Sequence, residues 1–103
     1  MITIEDIKNW SKPHPLTMVE RYNNAKQCRI GNERIEISIV GGCSGLYGDF
    51  ETTFEVAVID KTKNKFVTRY FHETPEDVIG WMESEKMVEL VNSLFKKDEV
   101  ILY

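Results

Sequence analysis

Two alternating stretches on either side of a glycine-rich bend limit what this chain can become. Between Arg34 and Val40, Ile35, Ile37 and Ile39 fall on one side, with Glu36 and Ser38 on the other. Between Phe50 and Asp60, Phe54, Val56 and Val58 share one side, while Glu51, Thr53 and Glu55 lie opposite. A period of two marks a strand with one buried face. Lys26 to Ile30 reads as a shorter strand before a Gly31-Asn32 turn, and Phe66 to Phe71 as a hairpin partner after the lysine-rich loop 61–65. Val100 to Tyr103 has the composition of a last short strand.

The ends of the chain follow a helical period. Thr3 and Asp6 have capping-box spacing, and Ile4, Ile7 and Trp10 share a face. Pro13 stops that helix, and Pro15 suits the first position of a second, with Leu16, Val19 and Tyr22 as its expected buried stripe. Thr74-Pro75-Glu76-Asp77 predicts a further helix start, interrupted at Gly80. Ser84 opens a stripe of Met87, Val88, Leu90, Val91, Leu94 and Phe95, with Lys96 and Lys97 at its negative end. The expected architecture is a single α+β domain over residues 1–103. It has a mainly antiparallel sheet of four to five strands, with helices at both termini packed on one face.

Composition narrows the class. The chain carries 13 basic and 17 acidic residues. The imbalance is uneven: ten basic face nine acidic residues up to position 72, and three face eight after it. An acidic C-terminal third disfavours gripping phosphate there, so nucleic acid is not the expected partner. No basic run precedes an apolar stretch at the N-terminus, and no apolar run approaches the length of a membrane span. A cytoplasmic protein with two reduced thiols, Cys28 and Cys43, is the expectation.

The segment from Gly41 to Asp49 is the candidate functional loop, since four glycines permit positive φ and close approach. It lacks the lysine and spacing of a phosphate loop, the dinucleotide fingerprint and the GxSxG nucleophile pattern. Nothing in the sequence places His14 or His72 beside Cys43 as a base. Neither a cofactor nor a catalytic residue is expected. The paired acids Glu5/Asp6 and Glu76/Asp77 sit at expected helix starts, where they complement the dipole.

Val40-Gly41-Gly42-Cys43-Ser44-Gly45, two residues before Tyr47, resembles the first cysteine motif of A-type iron–sulfur carrier proteins. That resemblance implies Cys43 as a thiolate ligand to iron or a cluster. The second cysteine motif of that family is missing, since no cysteine follows Cys43. In size, acidity and layout the chain also resembles small accessory proteins of bacteriophages, some of which inhibit host defence enzymes such as CRISPR or restriction effectors.

Phe50, Phe54, Phe66, Tyr70 and Phe71 with Arg69 and the lysines offer a nucleic-acid accessory alternative. Alternation places most of these aromatics in the core. The leading expectation is a non-enzymatic protein-binding module, a phage-type inhibitor or regulator of a larger host enzyme. The composition also accommodates a homodimer. Gly42, Cys43, Leu46, Tyr47, Asp49 and Trp81 are the expected partner-binding residues, with Cys43 the metal ligand in the iron–sulfur alternative.

Overall fold

A computed structural model describes residues 1–43 and 45–103, without the side chain of Tyr22. Thus Ser44 of the cysteine motif, and the burial expected of Tyr22, lie outside the described residues. The chain begins with helix α1 (Ile4–Trp10), closed at its start by the expected capping box. Thr3 Oγ1 accepts from the Asp6 N–H at 3.2 Å, and Asp6 Oδ2 accepts from the Thr3 N–H at 2.9 Å. This reciprocal pair satisfies two amides that have no partner inside the helix.

The centre is an antiparallel sheet of β2 (Lys26–Gly31), β3 (Ile35–Gly41) and β4 (Thr53–Asp60). Cys28 faces Ile39, and Ile39 faces Val56. One row away, Ile30 faces Ile37, and Ile37 faces Val58. That face is the core. Ile2, Ile7, Met87, Leu90, Val91 and Phe95 join the same buried cluster, so α1 and α2 (Ser84–Leu94) both pack on it. Phe50 and Phe54 meet edge to face, centroids 5.2 Å apart, at one end. On the opposite face, the guanidinium of Arg29 donates to both oxygens of the buried Glu36 carboxylate, at 3.1 and 2.9 Å. Two parallel charge-assisted bonds make that burial tolerable.

Among the described residues seven strands form, rather than four or five, because short strands share each outer edge. The outer edge of β2 pairs with β1 (Lys12–Pro13) at one end and β7 (Ile101–Leu102) at the other. The outer edge of β4 pairs first with β6 (Ile79–Glu83), then with β5 (Lys65–Phe66). Splitting an edge between short strands leaves little template for further pairing.

Thr68 bridges the gap on β4. Its side chain is 1% exposed; its hydroxyl accepts from the Val58 N–H at 2.9 Å and donates to the Asp77 carbonyl at 2.6 Å. A side chain therefore does the work of a strand where β5 has ended and β6 has not begun.

Several expectations are corrected. Residues 66–71 do not continue as a strand: β5 ends at Phe66, a 3₁₀ turn covers Thr68–Tyr70, and Tyr70 and Phe71 are exposed, as is Phe66. Residues 15–22 form two 3₁₀ turns instead of a helix, because Val19 is extended (φ −90°, ψ 130°) and breaks the run, and Leu16 and Val19 are exposed. No helix starts at Thr74. Its hydroxyl donates to the Val78 carbonyl at 2.7 Å, closing a local turn, and Ile79–Glu83 is captured as a strand by β4.

Candidate functional site

Residues 41–43 and 45–50 fold back over the start of β4. The Gly42 N–H donates to the Gly48 carbonyl at 3.0 Å, with Gly42 at φ +107°. Gly48 lies against the β4 backbone, where a Cβ would stand 2.7 Å from Phe54 Cα. No side chain fits there, because backbone cannot move aside as a rotamer can. Asp49 then locks the exit. Its Oδ1 accepts the N–H groups of Glu51, Thr52 and Thr53 at 2.8–2.9 Å, and its Oδ2 accepts the Thr52 hydroxyl. Backbone donors favour the charged form, so this carboxyl is held well below the usual carboxylate range.

Beside the loop, β6 carries a bulge. Phe54 faces Met82 and Val56 faces Ile79, so two steps on β4 oppose three on β6. The extra residue turns Gly80 and Trp81 out of the ladder. Trp81 has φ +56°, a left-handed conformation rarely held by a bulky side chain. Its N–H donates to the Tyr47 carbonyl at 2.7 Å, and the Tyr47 N–H in turn donates to the Glu55 carboxylate at 3.1 Å. Glu55 is the β4 residue opposite the bulge. The loop thus repairs the hydrogen bonding that the bulge interrupts.

The two rings meet in the open. Trp81 is 61% exposed and Tyr47 48%, with centroids 6.4 Å apart and planes tilted by 49°. Tyr47 lies across Gly80, where an added Cβ would come within 3.1 Å of Tyr47 Cβ. A shallow groove of about 400 Å³ runs past this pair, walled by Glu73, Pro75 and Glu76. The wall is tied down: the Arg69 guanidinium donates to the carbonyls of Pro75 and Glu76 at 2.8 and 3.2 Å, and Thr68 holds the Asp77 carbonyl. Among the described residues, neither Glu73 nor Glu76 enters an ion pair.

The expected site residues separate into two groups. Tyr47 and Trp81 come together. Gly42 and Asp49 instead line a different groove with Lys12, Asn24 and Lys26. Cys43 and Leu46 are half-buried and line neither groove, joined by a 3.3 Å bond from the Leu46 N–H to the Cys43 carbonyl. Acidic residues are expected at the rim of such a surface, but the sequence does not single out Glu73 or Glu76, and Thr74-Pro75-Glu76-Asp77 reads as a helix start.

Cys28, the second thiol, lies in the core, where burial pushes it up to about 12. It remains a thiol at neutral pH, packed among the core side chains. Nδ1 of His14 accepts from the Leu16 N–H at 3.1 Å, and burial lowers its pKa. His72 is exposed. Among the described residues, no three His, Cys, Asp or Glu side chains gather as a metal-binding group, and no helix is long and apolar enough to cross a membrane. No protein-family model matches the chain, nor does any curated protein or solved structure.

Proposed function

We propose that the chain is a non-enzymatic protein-binding module that inhibits or regulates a larger enzyme by docking its Tyr47–Trp81 ridge onto it. The observation that carries this reading is the backbone of Trp81. Holding a non-glycine residue at φ +56° costs about 1–3 kcal/mol. A side chain needed only for folding would turn inward in return, yet this indole faces solvent beside a second aromatic ring. Trp and Tyr are the residues that most often anchor interfaces.

The carboxylates of Glu73 and Glu76 at the groove suit a basic surface on the partner and would speed encounter with it. Enzymes that handle nucleic acid, CRISPR and restriction effectors among them, present such channels. The reading is tested by capture from host lysate with the tagged chain, comparing wild type with Trp81→Ala and Tyr47→Ala. The expected result is one dominant partner retained by the wild type and reduced at least tenfold by either change, with thermal transitions kept. Equal capture, or loss of the transition in both variants, would refute it.

A further inference from the structure

A second aromatic surface has the opposite charge. Tyr70 is 80% exposed and Phe71 40%, and both line a groove of about 250 Å³ with Lys63 and Lys65 above a floor of Ile35 and Val67. These rings stay outside the core because Thr68 ends the strand ahead of them. The 3₁₀ turn it anchors, with Tyr70 N–H to Val67 carbonyl and Phe71 N–H to Thr68 carbonyl both at 3.0 Å, then carries them outward.

The local charge is positive despite the acidic chain. Lys61, Lys63, Lys65 and Arg69 fall between residues 61 and 69, with no acid among them. Lys61 is turned away onto Tyr103, its ammonium 4.0 Å from the ring centroid. Arg69 is fixed on the carbonyls of Pro75 and Glu76. Lys63 and Lys65 remain at the groove, and among the described residues neither forms an ion pair. Among the described residues lining the groove the one acid is Asp60, whose Oδ1 accepts from the Thr62 N–H, the Thr62 hydroxyl and the Lys63 N–H at 2.6–3.1 Å, leaving two ammonium groups against one carboxylate.

We propose that this groove binds a single-stranded polynucleotide, with Tyr70 and Phe71 stacking on its bases and Lys63 and Lys65 neutralising phosphates. Charge chooses the occupant: an anionic ligand is required, and exposed rings beside ammonium groups match one that alternates flat bases with phosphates. A duplex is a poorer fit, because its base faces are already stacked on each other and offer Tyr70 and Phe71 nothing to stack on. The site is separate from the Tyr47–Trp81 ridge and shares no lining residue with it.

The test is fluorescence anisotropy with labelled twelve-nucleotide oligothymidylate and oligouridylate, from 30 to 300 mM salt. Comparators are heparin, a polyglutamate peptide and anionic lipid vesicles. The wild type is expected to bind both oligonucleotides saturably. Tyr70→Ala should weaken binding about tenfold with an unchanged salt slope, because stacking is worth roughly 1–3 kcal/mol per base. The double change Lys63→Gln/Lys65→Gln should make the negative slope of log K against log salt shallower by about 1.4, two phosphate contacts on single strands. Since Tyr70 is almost wholly exposed, its removal leaves folding intact, which a thermal transition checks. No saturable binding at 30 mM salt, equal binding by Tyr70→Ala, or heparin, polyglutamate or vesicles binding as well as the oligonucleotides would overturn the proposal.

Discussion

Replacing Thr68 with valine isolates the substitute that keeps β4 bonded where no strand covers it. Valine has nearly the same shape but can neither accept from the Val58 N–H nor donate to the Asp77 carbonyl, bonds of 2.9 and 2.6 Å at a residue that is 1% exposed. Leaving the buried Val58 donor unsatisfied costs about 1–3 kcal/mol, and losing the bond to the Asp77 carbonyl about 1 kcal/mol more. The added methyl returns about 0.8 kcal/mol at most. A net loss of about 2 kcal/mol is expected, which lowers the melting temperature by about 8–16 °C in a domain of this size. Thr68→Ser keeps both bonds and gives up one methyl group, for a loss of about 1 kcal/mol. Urea titration should move the midpoint down in the order wild type, Thr68→Ser, Thr68→Val, with constant slope, and only Thr68→Val should lose hydrogen-exchange protection at the Val58 amide. If Thr68→Val is as stable as Thr68→Ser, the hydroxyl is not replacing a strand and this account of the edge is wrong.

Two further outcomes follow from the loop. Asp49→Ala removes a carboxylate whose folded pKa is depressed by backbone donors, so the stability it supplies is full above the unfolded value of about 4 and fades as pH falls below it. The gap in melting temperature between wild type and Asp49→Ala should be constant above about pH 5 and narrow steadily toward pH 2; a gap that widens in acid contradicts the sign. Gly48→Ala places a Cβ against the backbone of Phe54 and Glu55. It should cost more than the ~1 kcal/mol typical of a point change and expose the core to a hydrophobic dye, whereas wild-type stability would show that the loop does not lie on β4.

Much of the frame is legible in residues whose neighbours are local. Thr3 and Asp6 cap α1 because both partners lie within one turn. The alternation of Ile35, Ile37 and Ile39 against Phe54, Val56 and Val58 gives the core face of the sheet, because side-chain direction in a strand depends on parity alone. What escapes is decided by distant partners. Thr74-Pro75-Glu76-Asp77 has every residue a helix start needs, yet β4 needs an edge partner and takes Ile79–Glu83. Phe66, Tyr70 and Phe71 have strand composition, but Thr68 takes the backbone bond that would have continued β5. At the site, the Gly80-Trp81 pair and the glycines round Tyr47 signal an exposed aromatic pair. The bulge that joins them is invisible without the register.

The stability of Trp81→Gly, measured beside Trp81→Ala and paired with partner capture by each, tests most directly whether the indole is held outward for contact. Glycine accepts φ +56° freely, while alanine keeps a left-handed penalty of about 1–2 kcal/mol. Trp81→Gly should be more stable than Trp81→Ala by about 1 kcal/mol and close to the wild type, and both should lose the partner. Trp81→Gly falling well below Trp81→Ala, or holding the partner as the wild type does, would contradict it.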